Sequence, residues 1–314
     1  MIEIKVKSND VGIRLDNFLL KLNIGLTKPL IYKLIRKKNI KINNKKTTFN
    51  YHLELDDNIS IFYHINNSEK SNFDFMKADK LDDIVYEDKN IIIVNKPVGL
   101  LCHDDEHQTT SDTLINRIKK YLVEKGEYDY QNENQFAPSL AHRIDRNTAG
   151  LVVASKNHDA SVSLAKIFKE HNLSKHYLAL LYGIIPDKKN KIHLYIKDDN
   201  DKLVSVSKNP KTGYKDAISE YSVQEYIKNK FSLVDIKIIT GRKHQIRASF
   251  NFLNYPIVGE QKYISKNINK DPKYKHQCLV AYKLQFHIFD KHDVLFYLNN
   301  KTFITNKIWF LDFN

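Results

Sequence analysis

Leu15, Phe18, Leu19 and Leu22 recur at i, i+3, i+4 and i+7, the spacing of one apolar face of a helix. A second helix is predicted to open at Thr27-Lys28-Pro29, with Thr27 as cap and Pro29 near the first helical position. It buries Leu30, Ile31, Leu34 and Ile35 and turns Lys33, Arg36 and Lys37 to solvent. From Ile40 the period drops to two: Ile40 and Ile42 alternate with Lys41 and Asn43 up to a turn at Asn43-Asn44. Shorter alternations follow at Leu53/Leu55 and Ile59/Ile61, and residues 64–80 are polar without a period, as a linker is.

Beyond the linker the pattern is richer in strands. Ile84-Val85-Tyr86 leads through a turn at residues 87–90 into the continuous apolar run Ile91–Val94. Residues 126–138, rich in Asn and Gln, read as a surface loop, and a second apolar run spans Leu151–Ala154. Ser161–His171 reads as a helix with Leu164 and Phe168 on one face. In the strand that follows, alternation sets Lys175, Tyr177, Ala179 and Leu181 against His176, Leu178 and Leu180. Phe231–Thr240 is a further strand, Ile246, Phe250 and Leu253 mark a short amphipathic helix, and Leu284–Phe289 and Val294–Leu298 complete the strands. The expected class is α+β, divided as a helical module over 1–63, a linker over 64–80 and a larger domain over 81–314.

No run of about 18 apolar residues exists, and the amino-terminal residues lack a secretory apolar core, so the expectation is a cytoplasmic protein with no membrane partner. Two cysteines, Cys102 and Cys278, argue against a disulfide scaffold or a paired-thiolate zinc site. The histidines show no metal-binding spacing and no glycine-rich nucleotide loop is present, so neither metal nor cofactor is expected. The net charge of +13 points to an acidic partner, most simply nucleic acid. That charge is unevenly placed: residues 1–50 hold 12 Lys and Arg against 3 Asp and Glu, whereas residues 51–100 hold 5 against 10. A uniform compositional bias does not reverse sign between neighbouring blocks.

The candidate chemistry centres on Asp145, a carboxylate between Arg143 and Arg146 at the entry to the Leu151–Ala154 run. Nearby guanidiniums favour the ionised form, which suits an anionic nucleophile or base working beside a polyanion. Taken alone, the triplet reads first as a surface ion pair at the start of a strand. A second basic cluster, Arg242-Lys243-His244, lies where a strand passes through Gly241 into a helix, a geometry whose free N–H groups and dipole attract phosphate.

These segments together resemble the RluA-type pseudouridine synthases. His142-Arg143-Ile144-Asp145-Arg146-Asn147-Thr148-Ala149-Gly150-Leu151 is similar to their H-R-L-D-x-D-T-S-G-L, departing at Ile144, Asn147 and Ala149 but not at the aspartate. Asn95-Lys96-Pro97-Val98-Gly99 with His103 resembles N-K-P-x-G-x-x-x-H, Lys175–Gly183 resembles K-x-Y-x-A-x-V-x-G, and Thr240–Arg247 resembles T-G-R-x-H-Q-I-R. Tyr255–Gly259 also follows the family, with Glu260 where Asp is common. Residues 1–63 resemble the S4 RNA-binding domain through Arg14-Leu15-Asp16 and Asp57-x-Ile59, with Asn44 and Asp56 standing where Gly is usual.

The resemblance implies an S4-like module followed by a catalytic domain on a long, mostly antiparallel sheet. It implies isomerisation of uridine to pseudouridine in RNA without a cofactor or metal, most simply in 23S ribosomal RNA or a large-subunit precursor, with no DNA partner. Asp145 matches the catalytic aspartate, which either attacks C1′ or removes the 2′ proton. Arg247 matches the arginine expected to hold that carboxylate by a two-pronged hydrogen bond, Tyr177 the residue that stacks on the uracil, and Arg143 the residue that fills the space the base vacates. Arg14, Lys28, Lys33, Arg36, Lys37 and Lys38 in the module, and Arg242 and Lys243 in the turn, are the expected phosphate contacts. The alternatives are an S4-type ribosome-assembly factor that grips RNA without chemistry, and an S4-bearing methyltransferase, which lacks its nucleotide loop here.

Overall fold

The computed structural model describes residues 2–22, 26–63, 74–104, 110–130, 136–199, 203–263 and 272–311. The first unit holds β1 (Ile2–Lys5), α1 (Leu15–Lys21), α2 (Lys28–Arg36), β2 (Ile40–Ile42), β3 (Lys45–Lys46) and β4 (Asn58–Ile61). Its sheet runs β1-β4-β2-β3, antiparallel throughout. Leu15, Phe18 and Leu19 of α1 and Ile31 and Leu34 of α2 close over Ile40, Ile59 and Ile61. Thr27 caps α2 by backbone position alone, since its hydroxyl makes no capping bond. Asn44 and Asp56 have φ of 64° and 67°. That left-handed region favours glycine and tolerates Asn and Asp, which accounts for the family's glycines there. No strand forms at Leu53/Leu55, where the chain is irregular and Leu53 is buried.

The linker expected at 64–80 lies outside the described residues up to 73. Its described end is a 3-10 turn, Asp74–Lys77, fastened to the next unit. Lys120 donates to the Ala78 carbonyl at 2.7 Å, and the Phe75 ring meets Tyr130 edge-on at 5.4 Å.

The second unit continues with β5 (Ile84–Glu87), β6 (Ile91–Lys96), α3 (Leu114–Glu124), β7 (Ser139–Leu140), β8 (Ala149–Ser155), α4 (His158–Lys169) and β9 (Leu173–Tyr182). Then come β10 (Lys189–Asp198), β11 (Val204–Ser207), β12 (Lys215–Ile227), β13 (Phe231–Ile238), α5 (Gln245–Phe252), β14 (Leu279–Phe286) and β15 (Thr302–Ile304). They form one sheet in the order β11-β10-β12-β13-β9-β14-β8-β6-β5, with β15 on β14 and β7 on β8. The chain is α+β, and among the described residues no helix is long and apolar enough to cross a membrane.

The two continuous apolar runs sit where the sheet is covered on both faces, as uninterrupted apolar strands require. Ile92, Val94, Val152 and Ala154 meet Leu114, Ile118 and Leu122 of α3, while Ile91, Ile93, Leu151 and Val153 meet Ala160, Leu164 and Ile167 of α4. Where β8 meets β14 the pairing is parallel, Gly150 lying opposite Ala281. Gly150 has φ +120°, and a Cβ there would fall 2.2 Å from the Ala281 carbonyl oxygen. Only glycine lets the loop ahead of β8 pass so close to the central strands.

Two expectations are corrected. Val294–Leu298 is not a strand: Phe296–Leu298 is a 3-10 turn that buries Leu295 and Leu298, a period of three set by Asp293, whose carboxylate accepts from Leu295 N at 2.8 Å. The expected helix over 161–171 begins earlier, at His158, because Asn157 caps it through Ala160 N at 2.9 Å.

Candidate active site

Three chain segments converge at the centre of this sheet: the loop 142–148 before β8, strand β9, and the turn 240–246 into α5. The first is pinned by its own backbone. Thr148 N donates to the Asp145 carbonyl at 3.0 Å, and the buried Thr148 hydroxyl accepts from Gln277 at 2.6 Å. It also docks on the Lys96-Pro97-Val98-Gly99 loop, with Gly99 N donating to the Arg146 carbonyl at 2.9 Å and Arg146 Nε returning to the Gly99 carbonyl at 3.0 Å. Lys96 is wholly buried and donates to the carbonyls of Pro97, Leu100 and Arg146 at 2.9, 2.8 and 3.0 Å. Burial pulls its ammonium down to about 8, against the opposing pull of Cys102 and Asp145.

That scaffold presents Asp145 with its side chain 30% exposed. Arg247 Nη1 donates to Asp145 Oδ2 at 2.7 Å, and Asp145 Oδ1 accepts no hydrogen bond among the described residues. The two-pronged bond expected between this pair goes elsewhere. Arg247 Nε and Nη2 donate at 2.7 and 2.8 Å to the two oxygens of Glu260, which is buried to 1% exposure. One edge of the guanidinium fork thus fills the carboxylate behind it, and the remaining nitrogen reaches forward to Asp145. Glu260 also accepts from Gln261 N at 2.9 Å and Lys262 N at 2.8 Å. Burial raises its carboxyl, but the guanidinium and those N–H groups outweigh burial and hold it below the usual range. The Arg247 guanidinium, opposed only by its own burial, is pushed up by Glu260 and Asp145 and stays charged.

Tyr177 lies in β9 with its ring buried and its hydroxyl unbonded among the described residues. Burial, reinforced by the Asp145 charge, drives its phenol upward, so it stays protonated. His244, in a left-handed conformation at the start of α5, places Nε2 3.9 Å from Asp145 Oδ2 and Nδ1 2.7 Å from the Tyr263 hydroxyl. The Tyr263 ring in turn lies 5.4 Å beneath the Arg247 guanidinium.

Asp145, Tyr177 and Arg247, distant in sequence, are therefore brought together. Arg143, two residues before Asp145, is exposed and makes no hydrogen bond among the described residues. Arg242 Nε donates to the Asp216 carbonyl at 2.8 Å and Lys243 to Asp198 at 2.9 Å, so both lean back on the sheet. Lys28, Lys33, Arg36, Lys37 and Lys38 are all exposed on or just after α2. Arg14 instead grips the buried Asp16 with Nε at 3.0 Å and Nη2 at 2.6 Å. Sequence reading gave no role to Lys96, Glu260 or Tyr263, and took His244 only as part of a phosphate-attracting basic cluster. The signal for Glu260 was its place directly after Gly259, whose φ of +75° and contact with the His276 carbonyl admit no side chain.

Comparison with known proteins agrees with this geometry. A family model described as RNA pseudouridylate synthase matches residues 90–252, and one for the S4 domain matches residues 13–59. An uncharacterized RNA pseudouridine synthase of Mycoplasma capricolum is 36% identical over 308 residues, covering 97% of each chain. The ribosomal large subunit pseudouridine synthase C of Rickettsia felis is 30% identical over 279 residues, 84% of this chain and 86% of its own. Of solved structures, human RNA pseudouridylate synthase domain containing 4 covers 71% of this chain and 87% of its own, with a TM-score of 0.56 at 20% identity, a likeness of fold.

Proposed function

The chain belongs to the RNA pseudouridylate synthase family, and from that premise we propose that Asp145 is its reacting carboxylate and that its targets are uridines of large-subunit ribosomal RNA. The enzyme is an isomerase of RNA. The bond from C1′ to N1 breaks, the uracil turns, C5 bonds to C1′, the C5 hydrogen leaves as a proton and N1 takes one up. The observation that carries the assignment of Asp145 is its pair of unlike oxygens: Oδ2 is held by Arg247, while Oδ1 accepts no hydrogen bond among the described residues. A carboxylate fixed through one oxygen and free through the other is set to attack C1′ or to take the 2′ proton.

Tyr177 supplies a flat, protonated aromatic surface for the uracil, and Arg143, exposed and unpaired among the described residues, is free to enter the space the base leaves. Unstacking the base costs a few kcal/mol, which phosphate contacts along the strand must offset. Lys28, Lys33, Arg36, Lys37 and Lys38 on the amino-terminal module, with Arg242 and Lys243 near the turn, supply those contacts. Arg14 serves the module by holding Asp16 rather than by reaching phosphate. The choice of large-subunit RNA is supported by the S4 module and by the name of the Rickettsia felis relative.

The test is tritium release from C5-labelled ribosomal RNA lacking pseudouridine, comparing the wild type with Asp145→Ala. Release by the wild type alone is the expected result. Equal release by the variant would overturn the assignment of Asp145, and release from transfer RNA but not ribosomal RNA would overturn the substrate.

A further inference from the structure

The hydrogen bonds around Tyr263 determine which nitrogen of His244 carries a proton. Val204 N lies 3.1 Å from the Tyr263 hydroxyl oxygen, and a backbone N–H can only donate. The oxygen accepts from Val204, and among the described residues His244 Nδ1, 2.7 Å away, is the one acceptor open to the hydroxyl's own hydrogen. Nδ1 is then the acceptor nitrogen, and in a neutral imidazole the hydrogen must sit on Nε2. Neutrality is enforced by the surroundings. Burial, with Arg247, Lys262 and Lys243 nearby, takes the imidazole down to about 4 against the opposing pull of Asp145. His244 thus presents one N–H beside the carboxylate, and among the described residues that N–H has no acceptor at hydrogen-bond distance. Its separation from Asp145 Oδ2, 3.9 Å, is too long for a direct bond.

A gap of this width suits one oxygen that accepts from the imidazole and donates to the carboxylate. With ordinary bond lengths of about 2.7–2.9 Å the angle at that oxygen is roughly 90°, and a side-chain shift of about 0.6 Å opens it to tetrahedral. For a nucleotide in RNA whose C1′ and C2′ face Asp145, the choice of oxygen is narrow. O4′ and the uracil O2 accept but have no hydrogen to donate, and the 3′ oxygen is esterified. Only the 2′-hydroxyl does both, and it is the group by which a protein tells RNA from DNA.

We infer that His244, held in its Nε2–H form by Tyr263, is the residue that recognises the ribose of the target nucleotide, its 2′-hydroxyl bridging His244 Nε2 and Asp145 Oδ2. The inference rests on Asp145 being the reacting carboxylate. It gives the Tyr263–His244 pair a specificity role: the bridge seats the sugar so that the open Oδ1 faces C1′ and C2′, and a deoxyribose fails to close it.

The test compares two oligonucleotides that differ only in having uridine or 2′-deoxyuridine at the target, measuring dissociation constants and single-turnover rates for the wild type, His244→Ala and Tyr263→Phe. The wild type is expected to bind the ribo form at least tenfold tighter, since the bridge adds one hydrogen bond from a neutral imidazole and one to a carboxylate. His244→Ala is expected to shrink that ratio by about tenfold, the size of the one hydrogen bond it removes, by weakening the ribo form only. Tyr263→Phe keeps the ring under Arg247 but frees the tautomer, and is expected to give an intermediate ratio. If His244→Ala weakens both oligonucleotides equally, the residue is merely structural and the inference falls. A wild type that binds both alike overturns it too. Activity retained by Asp145→Ala would instead strike the underlying assignment, whatever the ratios show.

Discussion

Glu260→Gln is the perturbation that probes the brace most directly. The substitution preserves shape and changes one charge. Glu260 accepts four hydrogen bonds, two from Arg247 and one each from Gln261 N and Lys262 N, and is almost wholly buried. A glutamine offers one acceptor oxygen, and its amide points N–H groups at a guanidinium or a backbone donor that is also an N–H. At least one donor loses its partner, and among the described residues Arg247 keeps Asp145, which is partly exposed, as its only counter-ion. Removing one partner of a buried ion pair costs about 3–5 kcal/mol, and the lower end applies because the amide retains part of the bonding. With an unfolding entropy of about 0.5 kcal/mol/K for a body of this size, a loss of about 3 kcal/mol lowers the melting temperature by about 6 °C.

The pH dependence gives an independent check. Glu260 has a folded-state pKa below its ordinary value, so its stabilisation is present above the ordinary carboxylate range, near 4.3, and is lost as pH falls through the lower folded value. Thermal melts of the two proteins should differ by about 6 °C at pH 7 and converge as the pH is taken below about 4. A difference that stays constant across that window, or none at neutral pH, would refute the brace.

Arg247→Lys leaves an ammonium that cannot span Glu260 and Asp145 together, and tritium release should fall by about a hundredfold or more, as misplacement of a reacting group by an ångström does; activity within threefold of the wild type would contradict this. Gly150→Ala puts a Cβ 2.2 Å from the Ala281 carbonyl oxygen at φ +120°. It should cost about 3 kcal/mol or more, visible as a large drop in melting temperature or soluble yield, and a melt within a degree of the wild type would be incompatible with the close crossing. Replacing Lys33, Arg36 and Lys37 together by Ala should flatten the plot of log affinity against log salt by roughly two to three units in slope. An unchanged slope would remove α2 from the RNA contacts.

What could be read from the chain was what repeats locally. The i, i+3, i+4 spacing of Leu15, Phe18 and Leu19 and the unbroken runs Ile91–Val94 and Leu151–Val153 each report burial on a face, and each forms as its period demands. The helix Leu114–Glu124 was equally legible, with Leu114, Ile115, Ile118 and Leu122 on one face and Thr113 as cap, but it carries none of the motifs that drew attention elsewhere. Strands β10 and β12 owe their length to pairing with each other along eight successive residues, from Lys189 opposite Ser222 to Ile196 opposite Lys215. Just over half of their positions are charged or polar, so local pattern alone does not announce them.

The site was legible as a list of members and not as a set of partnerships. Asp145, Tyr177 and Arg247 each sit in a recognisable stretch, but a guanidinium has five N–H groups and two usable edges, and sequence does not say which carboxylate takes which. Asp145 is the exposed, reacting candidate, so assigning it the fork was the natural reading. The opposite holds because desolvation is the larger cost. Glu260, sealed behind the site, needs every donor it can find. Asp145 has solvent to satisfy it and needs only one bond to fix its direction. A second prong from Arg247 would have tied down Oδ1 as well, leaving the proposed reacting carboxylate no open oxygen toward the sugar. The buried glutamate, by taking the fork, is what keeps Asp145 both held and free.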